Sequence, residues 1–241
     1  MSHYIRPESF KFPQIYKKFK VYDGKENELI EYRIQDLPEE YYEATLDLLV
    51  SDFIPDETLI TCLGLHKCAE SIRAYRDLWL NEMRSKISIA CFTNDENNEL
   101  VAVDVLSVYT KKDVVFEQKD PKLNQLYQIL KFISNKCKLF ESYNVDKYLT
   151  DQGLCTKRSH RHRGIAVEML KVRLTVMKEL GIMLTSGDFS VIGSQKASEK
   201  AGFEEIWSIS YQELAEEFPF LDISEAKDDK IISKILLTDC H

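Results

Sequence analysis

An α/β fold, a single domain with a mixed central sheet flanked by helices, is what this sequence predicts, on three observations. Strand-sized apolar runs alternate with stretches of helical period along the chain. One helical stretch, residues 121–136, crosses over between two strand candidates, which requires parallel or mixed pairing from there on. No linker, internal repeat or low-complexity tract divides the chain, and 8 Gly and 6 Pro in 241 residues are too few for a linker-rich design. Residues 1–25 are set apart as an N-terminal segment and residues 26–241 as the domain.

The elements follow in order. Residues 26–37 alternate as a strand and break at Pro38, after which Glu39 and Glu40 sit at the positive end of a helix that carries Tyr41, Ala44, Leu48 and Leu49. Pro55 interrupts. Asp56, Glu57 and Thr58 then open a second helical stretch, and a longer one runs through Ala69, Ile72, Arg76, Trp79 and Met83. Residues 87–92 and 100–108 are β-rich and joined by a polar connection, so they read as an antiparallel hairpin. Pro121 starts a helix whose apolar positions Leu123, Leu126, Ile129, Leu130 and Ile133 share one face. A strand follows at residues 147–156. From Gly164 the spacing of Ile165, Met169, Val172, Val176 and Leu180 gives an amphipathic helix that stops at Gly181. A short strand (182–185), a helix (195–200) and a strand (203–211) complete the pattern.

Lys and Arg number 32 against 40 Asp and Glu, a net charge of −8. Nucleic-acid affinity rests on clustered cations, so the balance argues against that partner, and a charged partner is expected to be cationic or to be met at a locally basic spot. The densest apolar runs fall far short of the ~20 residues of a membrane helix. Six cysteines without a C-x-x-C pair, and a start that lacks an apolar signal core, predict reduced thiols in a cytoplasmic protein.

The chemically informative stretch is Cys155-Thr-Lys-Arg-Ser-His-Arg-His-Arg-Gly-Ile-Ala166, where a strand ends, a basic turn follows and a helix starts at a glycine. Unpaired amides at a helix N-terminus, aligned with the helix dipole, form an anion site, and Gly164 would let the ligand approach the backbone. Arg161 and Arg163 add charge. The alternative is a solvated surface turn. Cys155, His160 and His162 crowd one turn without a distant partner, which makes a poor zinc site, and no metal is expected. Cys155 reads as a packed thiol rather than a nucleophile. Trp79, Tyr41 and Tyr42 sit at helical spacing and read as core.

Arg161-x-x-Gly164-x-Ala166 matches the Q/R-x-x-G-x-G/A motif of the GNAT superfamily of acyl-CoA-dependent N-acyltransferases, and Glu199-Lys-Ala-Gly-Phe203 is similar to its helix-then-Gly-Phe signature. Over roughly residues 28–212 the chain resembles that superfamily. The Pro55-Asp-Glu-Thr-Leu59 segment and the long helical insert before the hairpin resemble its insect arylalkylamine N-acetyltransferase branch. The resemblance implies a GNAT-like fold with acetyl-CoA as co-substrate. The amides of Arg161, His162, Arg163, Gly164, Ile165 and Ala166 would hold the coenzyme pyrophosphate, Cys155 and Thr156 would offer backbone groups to the pantetheine arm, and Ser194 would face the cofactor.

By the same resemblance Glu57 would be the general base, with Ser190 and Ser194 orienting the thioester or relaying a proton. An alkylammonium of pKa ~10 must lose a proton before it attacks a thioester, and a part-buried carboxylate suits that task. Capping of a helix after Pro55 is the other role open to Glu57. Many members of the superfamily carry a Tyr as general acid where this chain has Ser198. A thiolate of pKa ~8.5 leaves tolerably without one.

The resulting expectation is direct acetyl transfer within a ternary complex to an arylalkylamine such as dopamine, tyramine or serotonin, by a monomer or weak dimer. Two alternatives stand beside it. One is agmatine or a polyamine as acceptor, suited by Asp52, Asp56 and Glu57. The other is a non-catalytic acyl-CoA-binding module.

Overall fold

A computed structural model describes residues 4–23, 28–112 and 118–238. Residues 26 and 27 of the first expected strand, and Cys240, lie outside them. Eight strands form one sheet among the described residues: β1 (Ile15–Asp23), β2 (Glu28–Asp36), β3 (Ile89–Thr93), β4 (Leu100–Thr110), β5 (Lys147–Thr156), β6 (Leu184–Phe189), β7 (Glu204–Ser210) and β8 (Lys230–Leu237). Their order is β1-β2-β3-β4-β5-β6-β8-β7, with β5 and β6 parallel and the other neighbours antiparallel. The sheet is therefore mixed, and the fold is the single-domain α/β architecture expected.

Helices cover both faces. Alternation along the strands divides the core: Ala90 and Phe92 of β3 pack toward α1 (Tyr42–Leu48), α2 (Thr58–Cys62), α3 (Ala69–Met83) and α4 (Pro121–Cys137), while Ile89 and Cys91 pack toward α6 (Ile165–Leu180). On α6 the residues Ile165, Met169, Val172, Val176 and Leu180 are buried at the predicted spacing, each burial contributing about 1.5–3 kcal/mol. The helix ends at Gly181, whose φ of 60° is the left-handed cap a glycine supplies. Beyond it, α7 (Ile192–Lys200) packs Ala197 against Phe189 and Phe203. Two short helices, α5 (Leu139–Ser142) and α8 (Tyr211–Glu217), close the connections after α4 and β7.

Several elements differ from the sequence reading. β1 lies within residues 1–25 and pairs with β2 from Ile15↔Gln35 to Asp23↔Glu28. β8 has no counterpart in the reading and enters between β6 and β7. β6 runs to Phe189 rather than ending at Thr185. Its Ser186-Gly-Asp188 stretch looks like a turn, but pairing with β8 from Leu184↔Leu237 to Phe189↔Ile232 holds it extended.

Two features shape the space beside β5. The pairs Asp104↔Leu154 and Leu106↔Asp151 set three residue steps of β5 against two of β4, a bulge at Gln152 and Gly153. β5 and β6, in turn, share one register pair, Leu149↔Thr185, and β5 continues to Thr156 without β6 alongside. The parallel strands part, and a cleft opens between them.

Candidate active site in the cleft between β5 and β6

The cleft has a volume of about 750 Å³ and is lined along one side by β5 from Thr150 to Thr156 and along the other by Ser186, Asp188, Phe189 and Ser190. Its upper end is the turn into α6 and the start of α7. Its lower end is walled by Phe53, Tyr75, Tyr109, Tyr148, Leu126, Leu130 and Ile133.

At the upper end the backbone is built as the sequence suggests. Gly164 caps α6 with φ 75°, and His162 also has a left-handed φ of 66°. A side chain on Gly164 would meet no atom within 4 Å, so the glycine serves its backbone angle and leaves open space before the first turn of α6. The opening amides of α6 have no carbonyl one turn earlier to bond, and they favour an anion together with the helix dipole. Cys155, Thr156, Arg161, His162, Gly164, Ile165 and Ala166 all line the cleft. Arg163 does not. Its Nη1 lies 2.9 Å from His160 Nδ1 and donates to Tyr32 Oη at 3.3 Å, on the opposite side of the turn.

Arg158 and Arg161 are not spare charge, which for Arg161 revises the sequence reading. Arg161 donates to the Thr156 carbonyl (3.0 Å), Asp56 Oδ2 (2.6 Å) and the Asp52 carbonyl (2.8 Å). Arg158 places Nη2 3.1 Å from the same Asp56 oxygen, and its amide donates to Asp52 Oδ2 at 2.7 Å. Lys157 pairs with Glu99. Asp52 and Asp56 thereby brace the turn instead of waiting for a cationic ligand. Burial acts to raise the Asp56 pKa, but hydrogen bonds and charge from Arg161 and Arg158 outweigh it and hold the carboxyl below its ordinary value. Exposed Lys196 and Lys200 of α7 line the cleft as well, and sequence reading passed over them.

Glu57 follows Asp56 and has the opposite environment. It caps α2, accepting from the Ile60 amide, so the capping role weighed for it is real. It also lines the cleft while being 9% exposed. Burial lifts its pKa above the usual glutamate value and the charge of Asp228 adds to that, whereas hydrogen bonds from Ser190 and from the amides of Ile60 and Leu59 pull it down. The structure thus brings Glu57 and Ser190 together. Ser194 lines the cleft in the first turn of α7, but its hydroxyl donates to the Val191 carbonyl at 2.8 Å. Ser198, at the position of the missing Tyr, is buried and donates to the Gln195 carbonyl.

Burial pushes the Cys155 thiol up to about 12, which keeps it protonated and unreactive. Trp79 is fully buried, and its indole N–H donates to the Gln152 carbonyl at 2.8 Å, pinning the β5 bulge. Gln152 Nε2 in turn donates to Tyr109 Oη at 2.8 Å. Phe53 lies over Gly153, where a Cβ would come 3.2 Å from the ring, so that approach requires glycine. Gln152, Tyr109, Tyr148 and Asp188 carry no motif and were not found from sequence. The one available signal was the i, i+2 spacing of Asp188 and Ser190. Among the described residues no helix is long and apolar enough to cross a membrane, and no three His, Cys, Asp or Glu side chains cluster to hold a metal.

Neither family models nor curated protein sequences give a match to this chain. Solved structures do. A yellow fever mosquito (Aedes aegypti) protein, provisionally described as arylalkylamine N-acetyltransferase 7, superposes with a TM-score of 0.92 at 29% identity, over 98% of this chain and 100% of that one. Arylalkylamine N-acetyltransferase 2 of the same mosquito gives 0.73 at 17% identity, over 86% and 98%. The Drosophila melanogaster polyamine N-acetyltransferase, described as forming N-acetylagmatine, gives 0.69 at 15%, over 86% and 100%. The last two speak to the fold alone. With a bulged β5, a parallel neighbour splayed from it and a glycine-capped helix at the opening, the chain has the fold of the GNAT superfamily of acyl-CoA N-acyltransferases and resembles its insect arylalkylamine N-acetyltransferase branch.

Proposed function

We propose that this protein is an acetyl-CoA-dependent N-acetyltransferase of small primary amines, and that transfer is direct within a ternary complex. The observation that carries the reading is one cleft lined both by an anion-binding helix start and by a buried carboxylate, Glu57, that has no ion-pair partner among the described residues. Likeness to the mosquito protein over 98% of this chain supports it.

In this reading the coenzyme pyrophosphate lies on the amides of residues 161–166 and the pantetheine arm follows β5 past Thr156 and Cys155. The substrate arrives as an ammonium ion, attracted by Glu57. Glu57, its pKa raised toward the working pH, takes the proton, and the free amine nitrogen attacks the thioester carbonyl carbon. A C–N bond forms, the C–S bond breaks, coenzyme A leaves as the thiolate, and the proton that the nitrogen sheds on becoming an amide passes to that sulfur or to solvent. Ser190, hydrogen-bonded to Glu57, orients that carboxylate. With Ser198 turned to the Gln195 carbonyl, no acid need protonate the leaving sulfur, whose pKa of ~8.5 is low enough. A non-catalytic binding module would have no use for a carboxylate held at this cost beside Ser190.

Thiol release from acetyl-CoA across a panel of primary amines tests the reading. Turnover is expected with wild type, and Glu57→Gln should lower kcat/KM by about 10²–10⁴, the usual contribution of a positioned base. Absence of turnover with every amine would overturn it.

A further inference from the structure

Five carboxylates line the cleft: Asp52, Asp56, Glu57, Asp151 and Asp188. Three are matched by arginines, Asp52 and Asp56 as described above and Asp151 through Arg173 Nη2 at 2.8 Å. Glu57 and Asp188 have no such partner among the described residues. Asp188 accepts one hydrogen bond, from Ser233 Oγ at 2.6 Å on the neighbouring β8, and feels the like charge of Asp151.

The setting of Asp188 is unusual for an acid. Its side chain is exposed by surface area, unlike the other residues of β6, and that surface opens into the cleft. Protein surrounds it otherwise, and burial lifts its pKa to about 6. At neutral pH it is a carboxylate standing in a slot of aromatic and aliphatic side chains.

Asp188 and Ser190 are two residues apart, which on an extended chain places them on one face with about 7 Å between them. Ser190 holds Glu57. The two unmatched carboxylates therefore flank one stretch of cleft wall, and Tyr75, Tyr109 and Tyr148 line the same region. A monoamine filling the cleft would neutralise one carboxylate and cover the other without giving it a partner, at a cost. The tyrosines do not decide between ligands, because aromatic faces receive a flat ring or a cation.

We infer that the acceptor is an amine bearing a second cationic group, and that Asp188 is the specificity-determining residue that binds this group while the reacting amine meets Glu57. The inference rests on the reading of the cleft as an amine N-acyltransferase site. Arylalkylamines with a single positive charge are then the poorer ligands.

Calorimetric binding of agmatine, 1,4-diaminobutane and tyramine in the presence of coenzyme A tests this without turnover. Wild type should bind the two doubly charged amines about tenfold or more tightly than tyramine, and Asp188→Asn should lose about that factor for them and far less for tyramine, as expected when a charge-assisted contact is removed. Ser233→Ala keeps the charge and should keep the preference, which guards against a misfolded Asp188 variant. Glu57→Gln should weaken all three. Tighter binding of tyramine by wild type, or equal weakening of all three amines by Asp188→Asn, would overturn the inference. Binding that depends on Asp188 without consumption of acetyl-CoA would instead remove the acyltransferase reading and leave the ligand assignment intact.

Discussion

Asp56 and Glu57 are neighbours in sequence and opposites in environment. Asp56 meets two arginines and is held below its ordinary pKa, while Glu57 lines the cleft with no ion-pair partner among the described residues and is raised. The same contrast divides the whole cleft. Asp52 and Asp56 brace the turn before α6 and Asp151 pairs with Arg173, whereas Glu57 and Asp188 have no ion-pair partner among the described residues. A count of acids near a site therefore says little about the ligand's charge until each acid's partner is known.

Removing the partner of a matched acid should have the largest effect. Arg173 is fully buried and bonds Asp104 with both Nε and Nη2, at 2.8 and 2.9 Å. Arg173→Ala leaves Asp104 buried and unmatched, and denaturant unfolding should show a loss of about 3–5 kcal/mol. Gly164→Ala comes next. It puts an L-residue at φ 75°, for about 1–2 kcal/mol of strain, and coenzyme A binding should weaken with it.

The effect of an unmatched acid has the opposite sign. Because the folded-state pKa of Asp188 is raised from 3.8 to about 6, its favourable contribution is complete below pH 3.8 and is lost as pH rises through about 6. Asp188→Asn should therefore raise stability by about 1 kcal/mol at pH 7.5 and by nothing near pH 3.5, the cleft's water reducing what a dry site would show. Unfolding curves at the two pH values read the difference. The smallest effect is expected of Asp56→Asn, which weakens a part-exposed ion pair by up to about 1 kcal/mol and should leave the acid limb of the pH–rate profile in place.

The upper end of the cleft was legible because its signals are local: a glycine that must adopt a left-handed φ, a helix beginning there, and a basic turn within one short segment. The rest of the cleft is assembled from residues far apart in the chain, such as Glu57, Tyr109, Tyr148 and Asp188, that only the fold brings together. Partner identity was equally invisible. Arg161 bonds Asp56 across 105 residues, and no local pattern in either segment announces it. β8 escaped notice for a similar reason, since its place between β6 and β7 depends on pairing remote in sequence.

The central claim is that Glu57 removes the proton from the attacking amine. The pH dependence of kcat/KM reports the titration of the free enzyme and the free substrate. Wild type should show a rise through a pKa above the ordinary glutamate value of 4.5, followed by the separate limb of the amine itself. Glu57→Gln should lose the lower limb and keep the upper one. The same lower limb in both proteins would contradict the account.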